Sequence, residues 1–417
     1  MKMKLLSIAM LSSSLLLTAC GGSDDGDTTY TPKPEVPENN IKDPVVGIPA
    51  NYELDGMAAA STDSVVMTYK MLGVNGGEVQ ATALVFTPKT LAPANGWPIV
   101  VWAHGTTGVA DQCAPSKQGL MGNEVFLKAL LAAGYVVVAP DYEGLGEPGG
   151  KEAHPFLNVK SEAYSITDAV VAARSYLTGL GKKTNGQWLA VGHSQGGQAV
   201  LGAAQYQSRA KLSYKGTIAI APASNLGLIL AGGEQAAIGK PDQLQIDLLA
   251  PLDTFTALIT AGLKNQNPGL RFSDVFNTPT DLIAASAETS AEDSACYDVL
   301  EDRFKQAMDI YSQQNQTLQG YPRTKTNFMS IPSVSTFLTM DSQPLQKKVT
   351  TPVIVYQGVA DATVPKQITD ILVASARAVG TSIPEANYRV GAWDHTTVYT
   401  ANLAKIVQDV NVLMPAN

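Results

Sequence analysis

Charged residues are few in this chain of 417 residues: they make up 16%, where globular domains have roughly 25%. The 29 Lys and Arg are outnumbered by 37 Asp and Glu, which gives a formal net charge of -8. Such a balance repels nucleic-acid phosphates, so the sequence argues against a nucleic-acid partner. Beyond the N-terminus, no stretch approaches the roughly 18 consecutive apolar residues of a membrane-spanning helix. A soluble globular body is expected.

Histidine and cysteine are also scarce, with 4 and 3 copies. No pair of them has the spacing of metal ligands, and the acidic stretch 24–27 lacks the spacing and the closing Glu of an EF-hand. No Gly-rich segment matches a phosphate or dinucleotide fingerprint. The sequence therefore predicts neither a metal site nor a cofactor, and no feature indicates an obligate protein partner.

The N-terminus has the features of an export signal. Lys2 and Lys4 precede the apolar stretch 5–17, which is too short to span a membrane as a stable helix. Residues 17–21 read LTACG and resemble the lipobox of bacterial lipoproteins. That resemblance implies a signal peptide of residues 1–19 and lipidation of Cys20. An ordinary signal peptide followed by an incidental cysteine is the alternative.

Residues 20–49 are rich in Gly, Ser, Asp, Thr and Pro, and a segment of that composition cannot bury enough apolar surface to fold. We interpret them as a disordered tether between the lipid anchor and the body. Gly21, in place of an Asp directly after the cysteine, favours the outer membrane among lipoproteins of this kind. The sequence leaves open whether the body faces the periplasm or the cell surface.

Export determines how the other two cysteines are interpreted. Cys113 and Cys296 would lie in an oxidising compartment, where disulfides persist, and they are the one pair left once Cys20 is lipidated. We predict a disulfide between them. The alternative is a pair of buried free thiols that act as small hydrophobic side chains.

From about residue 61 the chain alternates strand-like and helix-like segments, which predicts an α/β fold with a mostly parallel sheet. Between residues 224 and 349 the sequence is rich in helices and loops and has no clear strand. We therefore predict a core of residues 50–223 and 350–417 with an inserted helical cap of residues 224–349. The predicted core strands are 65–69, 81–86, 98–103, 135–139, 188–191, 216–221, 352–357 and 387–390, and the predicted core helices are 124–133, 161–177, 195–208, 366–379 and 397–413.

Residues 192–196 read GHSQG and lie between a predicted strand and a predicted helix. This context is typical of a nucleophile elbow, in which glycines allow a tight turn that exposes the serine above the sheet. Ser194 is therefore the candidate nucleophile. The alternative is a tight Gly-rich turn with a bystander serine.

A serine hydroxyl needs a general base, and only four histidines are available. His193 is held by the elbow, so its ring should point away from Ser194, while His104 and His154 come earlier in the chain. His395 follows the last predicted strand and precedes the last predicted helix, the place that the order Ser, acid, His requires. We predict His395 as the base.

The acid is expected in the loop after the preceding strand. Asp361 lies there, where its carboxylate could accept the proton of the imidazole Nδ1. Asp394 is the second candidate, but it directly precedes His395 and is poorly placed to accept from that ring.

An oxyanion hole needs two preorganised amides. One comes from Gln195, directly after the nucleophile, and the other from loop 104–108, which reads HGTTG and follows an earlier strand. Thr106 is the first choice for the second donor and Thr107 the alternative.

Together these motifs resemble the secretory lipase family of α/β-hydrolases, whose best-known members are fungal lipases related to Candida lipase A. The resemblance covers residues 51–417 and implies action on carboxylic esters, a helical cap between the sixth and seventh strands, and a disulfide between core and cap. The matching features are 104–106 (HGT), 139–146 (APDYEGLG), 192–197 (GHSQGG), Asp361, His395 and the cysteine positions. Within that family, Asp141, Tyr142 and Glu143 more often shape the pocket rim than carry out chemistry.

The sequence thus predicts an exported, membrane-tethered serine hydrolase of ester or lipid substrates. Ser194, Asp361 and His395 would form the triad, and Thr106 and Gln195 the oxyanion hole. A serine peptidase or acyltransferase on the same scaffold would use the same residues. A binding lipoprotein that has lost its chemistry is the third alternative.

Overall fold

The computed structural model describes residues 36–146, 153–288 and 293–416. Its strands form one 9-stranded sheet with the order β1-β2-β3-β5-β4-β6-β7-β8-β9. The described residues belong to one compact unit. The strands are β1 (Ala50–Asn51), β2 (Ser61–Leu72), β3 (Glu78–Pro88), β4 (Trp97–Ala103), β5 (Val136–Pro140), β6 (Thr184–His193), β7 (Ser213–Ile220), β8 (Val353–Gly358) and β9 (Tyr388–Gly391).

The sheet is antiparallel at its first edge and parallel elsewhere. β1, β2, β3 and β5 pair in antiparallel fashion, whereas β4 pairs with β5 and β6, and β6 to β9 pair in parallel. Along β4, Ile99 and Val101 join one apolar cluster while Val100 and Trp102 join another. Successive side chains point to opposite faces of a strand, so both faces of this sheet are covered. The prediction of an α/β fold with a mostly parallel sheet is confirmed.

Helices cover the two faces. α4 and α5 contact β2 and β6 on one side, and α3 and α14 contact β5 and β7 on the other. The helices are α1 (Met57–Ala60), α2 (Pro115–Gln118), α3 (Glu124–Ala132), α4 (Val159–Gly179), α5 (Gln195–Tyr206), α6 (Leu226–Ala237), α7 (Asp242–Lys264), α8 (Phe272–Val275), α9 (Thr280–Ala284), α10 (Tyr297–Asn315), α11 (Pro332–Thr336), α12 (Lys366–Ala378), α13 (Thr397–Thr400) and α14 (Leu403–Leu413).

The described part of the chain between β7 and β8 contains α6 to α11 and no strand. Its buried side chains belong to the same apolar cluster as those of α4 and α5, so this helical segment packs directly on one face of the sheet. Of the described helices, α7 alone is long and apolar enough to cross a membrane, and 78% of its most apolar window is buried inside the protein.

The C-terminal helix differs from the prediction. The sequence predicts one helix over 397–413, whereas the structure has two, α13 and α14, that are separated at residues 401 and 402. The Asn402 side chain donates to the Val398 carbonyl oxygen (2.9 Å), while the Asn402 backbone N–H donates to the Tyr399 carbonyl oxygen. A short amide side chain thus competes with the backbone for a helical carbonyl and interrupts the helix.

The predicted signal peptide, Cys20 and residues 20–35 of the predicted tether lie outside the described residues. The remainder of that stretch contacts the body. Asn39 Nδ2 donates to the Asp168 carboxylate at 2.9 Å, and Arg209 donates to the Pro37 carbonyl oxygen at 2.9 Å. Asp168 and Arg209 are themselves a buried ion pair, which gives residues 36–41 a fixed attachment point.

Candidate active site

Ser194 lies where β6 ends and α5 begins. Its backbone has φ 59° and ψ -119°, which an L-residue adopts only when its surroundings enforce it. A Cβ atom on Gly196 would be 1.9 Å from the Ala103 carbonyl oxygen, and one on Gly192 would be 2.2 Å from that of Gly196. Glycine is therefore required at both positions. Ser194 is half-buried at the carboxyl end of the sheet and at the N-terminus of α5.

Asp361 and His395 form a hydrogen-bonded pair. Asp361 follows β8, and its Oδ1 accepts hydrogen bonds from the backbone N–H groups of Thr363 (3.0 Å) and Val364 (2.8 Å). Its Oδ2 lies 2.8 Å from His395 Nδ1. The Asp361 side chain is fully buried, whereas that of His395 is 19% exposed. A carboxylate accepts, so Nδ1 carries the proton and Nε2 is left as the acceptor that a serine hydroxyl needs.

His193 connects this pair to the elbow. Its ring is turned toward the His395 backbone, where Nε2 donates to the His395 carbonyl oxygen at 2.8 Å. The two rings lie 4.7 Å apart. Burial, followed by the charge of nearby His395, lowers the pKa of His193 to about 3, so this ring is neutral. Because His193 directly precedes Ser194, the hydrogen bond fixes the position of the His395 loop relative to Ser194.

The other two histidines are buried in the protein. Burial lowers the pKa of His104 to about 4 and that of His154 to about 3. The single N–H of neutral His104 faces a backbone carbonyl oxygen in either tautomer, that of Gly105 or that of Asp141, and His154 Nδ1 lies 2.8 Å from the Glu143 carbonyl oxygen. Neither ring is accessible to a substrate, so His395 is the one histidine of the four with both an acid partner and an exposed edge.

Loop 104–108 follows β4 and contributes Thr106 to the cavity that Ser194 and Gln195 also line. The Gln195 N–H lies in the first turn of α5, where an amide has no partner within the helix. Thr107 does not line that cavity, and its carbonyl oxygen accepts a hydrogen bond from Tyr297 N–H at 2.9 Å. Thr106 and Gln195, the two residues predicted to form the oxyanion hole, thus both line the cavity beside Ser194.

A disulfide joins Cys113 to Cys296. It links the loop after β4 to the start of α10, and beside it the Gly108 backbone forms a β-bridge with Cys296. The two cysteines are 183 residues apart in sequence. A cross-link that closes so long a loop removes chain entropy from the unfolded state worth about 5 kcal/mol. The loop that carries Thr106 is thereby held against the helical segment.

The cavity beside Ser194 is small, about 40 Å³, and mostly apolar. Helix α6 contributes Leu226, Ile229 and Leu230, and helix α7 contributes Phe255 and Ile259. A lining of this kind excludes water and favours an apolar group over an ionic one.

Comparison with known proteins agrees with this architecture. The sequence model of the alpha/beta hydrolase family matches residues 100–399. This chain belongs to the alpha/beta hydrolase family. The match begins in β4 and extends past Ser194, Asp361 and His395. Among curated proteins, none matches the sequence of this α/β-hydrolase.

Solved structures resemble it over most of its length. The esterase LipA of Xanthomonas oryzae, which degrades the rice cell wall, has 20% sequence identity and a TM-score of 0.64, with 89% of this chain and 97% of LipA covered. Candida antarctica lipase A in its closed state has 16% identity and a TM-score of 0.65, with 92% and 85% covered. A Legionella pneumophila protein described as a hydrolase has 16% identity and a TM-score of 0.67, with 89% and 98% covered. At these identities the likeness shows the fold alone.

Asp394, the second acid candidate in this α/β-hydrolase, does not pair with the histidine ring. Its carboxylate accepts hydrogen bonds from the backbone N–H groups of Thr396 (3.0 Å) and Thr397 (2.7 Å). These hydrogen bonds lower the pKa of the exposed Asp394, and those from Thr397 have the largest effect. Asp394 therefore caps the turn after His395.

Asp141, Tyr142 and Glu143 are all buried. The Asp141 carboxylate accepts from Thr82 Oγ1 (2.6 Å) and from the backbone N–H of Ser116 (3.0 Å). Burial raises the pKa of Asp141 to about 6. Tyr142 donates to the His104 carbonyl oxygen, and Glu143 accepts from the backbone of Val74. Through these contacts, the three residues connect neighbouring loops, which is a structural role.

One group of residues near the site escaped the sequence analysis. The side chain of Gln195 is buried, with His154 Nε2 and Glu162 Oε1 each 2.8 Å from its amide nitrogen. The sequence carried one signal: Glu162 falls on the apolar stripe of α4, four residues before Ile166. Within the described ranges, no group of three or more His, Cys, Asp or Glu could hold a metal ion.

Proposed function

We propose that this protein is a serine hydrolase of carboxylic esters, of the lipase or carboxylesterase type. One observation carries the proposal: Ser194, held in an elbow, adjoins an apolar cavity and is tied through His193 to the Asp361–His395 pair. The esterase and the lipase among the structural neighbours support ester chemistry.

In the proposed acylation step, His395 Nε2 takes the proton of the Ser194 hydroxyl as its oxygen attacks the ester carbonyl. Asp361 holds the imidazole in the required tautomer and stabilises the imidazolium. The backbone amides of Thr106 and Gln195 stabilise the negative oxygen of the tetrahedral intermediate. His395 then returns the proton to the alcohol as it leaves.

Water completes the proposed cycle. His395 deprotonates a water molecule, which attacks the acyl-enzyme and releases the carboxylic acid and free Ser194. No step needs a cofactor. We propose the helical segment as a cap whose side chains from α6 and α7 bind the acyl chain, because these side chains form most of the apolar wall beside Ser194.

A series of p-nitrophenyl esters from acetate to palmitate tests the proposed function. We expect turnover of at least part of the series, and covalent labelling of Ser194 by a fluorophosphonate that mass spectrometry locates on that residue. Turnover of peptides in place of esters would assign the scaffold to a peptidase, and acyl transfer to an added alcohol in preference to water would assign it to an acyltransferase. An unlabelled Ser194 without any turnover would favour a binding protein.

We further propose that the protein is exported and anchored through a lipid on Cys20. The proposal rests on residues 17–21, which resemble a lipobox. Cys20→Ser is then expected to move the enzyme from the membrane fraction to the soluble fraction while its specific activity on p-nitrophenyl butyrate stays within about twofold, because the lipid contributes membrane affinity and no part of the site. Membrane fractionation with activity assays measures both. A C20S protein that stays membrane-bound would refute the anchor.

A further inference from the structure

A buried polar cluster lies behind the oxyanion side of the site. Gln195, His154 and Glu162 are each at most 1% exposed. They come from three different elements: α5, the loop before α4, and the first turns of α4. The amide nitrogen of Gln195 joins them, at 2.8 Å from both His154 Nε2 and Glu162 Oε1.

The hydrogen-bond directions in this cluster follow from its partners. His154 Nδ1 lies 2.8 Å from the Glu143 carbonyl oxygen, which can only accept, so Nδ1 carries the proton and Nε2 accepts. The Gln195 amide therefore donates one N–H to His154 and its other N–H to Glu162. Both donors of the side chain are used, which leaves Gln195 a single orientation.

Glu162 has partners for only one of its oxygens. Oε1 also accepts from Leu157 N–H at 3.2 Å, whereas Oε2 is buried without a hydrogen-bond partner in the described part of the chain. No described Lys or Arg forms an ion pair with it; the nearest ionisable ring is neutral His154, at 3.8 Å. Burial without a counter-charge favours the protonated carboxylic acid and raises the pKa of Glu162 to about 8.

Among the described residues, the other groups around the cluster add no positive charge. Tyr142, from the loop after β5, stacks on His154 at 5.5 Å, and burial raises its pKa well above the ordinary value, so it is neutral. The Glu143 carboxylate accepts from the hydroxyl of Ser161, the residue before Glu162, and from the backbone N–H of Val74. The N-terminus of α4 favours a carboxylate, but the Asn158 side chain already accepts from the first amides of that helix.

We propose that Glu162 is a positioning residue: in its protonated form, and together with His154, it holds the Gln195 side chain and thereby fixes the Gln195 backbone N–H that faces the oxyanion. Ionised Glu162 would place a negative charge behind the group that must stabilise another negative charge. The proposal rests on the proposed ester hydrolysis.

The test is the pH dependence of kcat in Glu162→Gln, whose neutral amide cannot ionise. Wild-type kcat should fall as pH rises through about 8, with KM little affected, because the lost interaction acts in the transition state. The kcat of E162Q relative to wild type should therefore rise about tenfold or more between pH 7 and pH 9.5. Glu143→Gln makes the same chemical change beside the cluster and should keep the alkaline decline. Parallel profiles of wild type and E162Q would overturn the proposal.

Stability provides a readout that does not depend on activity. Folded Glu162 keeps its proton up to about pH 8, whereas the ordinary pKa of a glutamate in an unfolded chain is 4.5. Between these values the unfolded state binds fewer protons, so the stability that the group contributes at low pH is lost as pH rises through about 8. The Tm of wild type relative to E162Q should fall over this window. A constant difference in Tm would contradict the proposed protonation state.

Gln195→Met removes the anchored amide but keeps the backbone N–H. We expect kcat to fall by about 10- to 100-fold with KM within about twofold, since a misplaced oxyanion donor affects the transition state more than substrate binding. An unchanged kcat would overturn the positioning role. A wild-type enzyme that hydrolyses no ester would instead end the proposed function, so the two failures are distinguishable.

Discussion

Replacing Ser194 with alanine is expected to lower kcat for p-nitrophenyl ester hydrolysis by roughly 10⁶-fold and to leave the protein folded. Alanine keeps the Cβ atom and therefore meets the same backbone strain at φ 59° that serine already tolerates. It removes the one atom that could form the acyl-enzyme. The residual rate should be the small acceleration that binding and the oxyanion amides give to attack by water.

The measurement compares burst and steady-state kinetics of Ser194→Ala with those of Ser208→Ala, an exposed serine beyond the end of α5. S208A should keep wild-type turnover within about twofold. S194A should lose both the burst and the fluorophosphonate label, while circular dichroism and Tm match the wild type. An S194A enzyme that keeps more than about 1% of the wild-type kcat would rule out Ser194 as the nucleophile.

The fold could be predicted because its sheet is covered on both faces. Strands such as β4 and β5 are then nearly continuous apolar runs, which stand out between amphipathic helices. The two-residue strand β1 carries no such pattern and was missed. The break at Asn402 was missed for another reason, since it depends on a side-chain hydrogen bond that competes with the helix within an amphipathic stretch.

The site was predictable where it follows chain order and not where it depends on contacts across the fold. Ser194, Asp361 and His395 each lie directly after a strand or in the loop that follows one. Topology alone therefore brings them to the carboxyl end of the sheet. For His193 the sequence predicted only that its ring points away from Ser194; its hydrogen bond to His395 spans 202 residues and has no signal in chain order. The contacts of Gln195 with Glu162 and His154 span 33 and 41 residues and have no local signature.

Replacing Asp361 with asparagine is expected to lower kcat by about 10⁴-fold through the tautomer of His395. Asp361 Oδ1 accepts two backbone N–H groups, those of Thr363 and Val364. An asparagine must place its carbonyl oxygen there, because its NH₂ group would face two donors. The NH₂ group then points at His395 Nδ1 and forces that nitrogen to accept.

A His395 ring that accepts at Nδ1 carries its proton on Nε2. Nε2 then has no free lone pair and cannot take the proton of the Ser194 hydroxyl. Gln357 Nε2, at 3.3 Å from Oδ2, would face the new NH₂ group as well and cannot rescue the interaction. The expected defect therefore lies in kcat, with substrate binding preserved, and labelling of Ser194 by the fluorophosphonate should slow by a similar factor.

Asp394→Asn is the matched control, because it makes the same change in an exposed residue that caps the turn after His395. We expect D394N to keep kcat within about threefold while D361N loses it. Steady-state kinetics of both variants at pH 7.5 decide the matter. A larger loss in D394N than in D361N would reverse the assignment and make Asp394 the acid partner of His395.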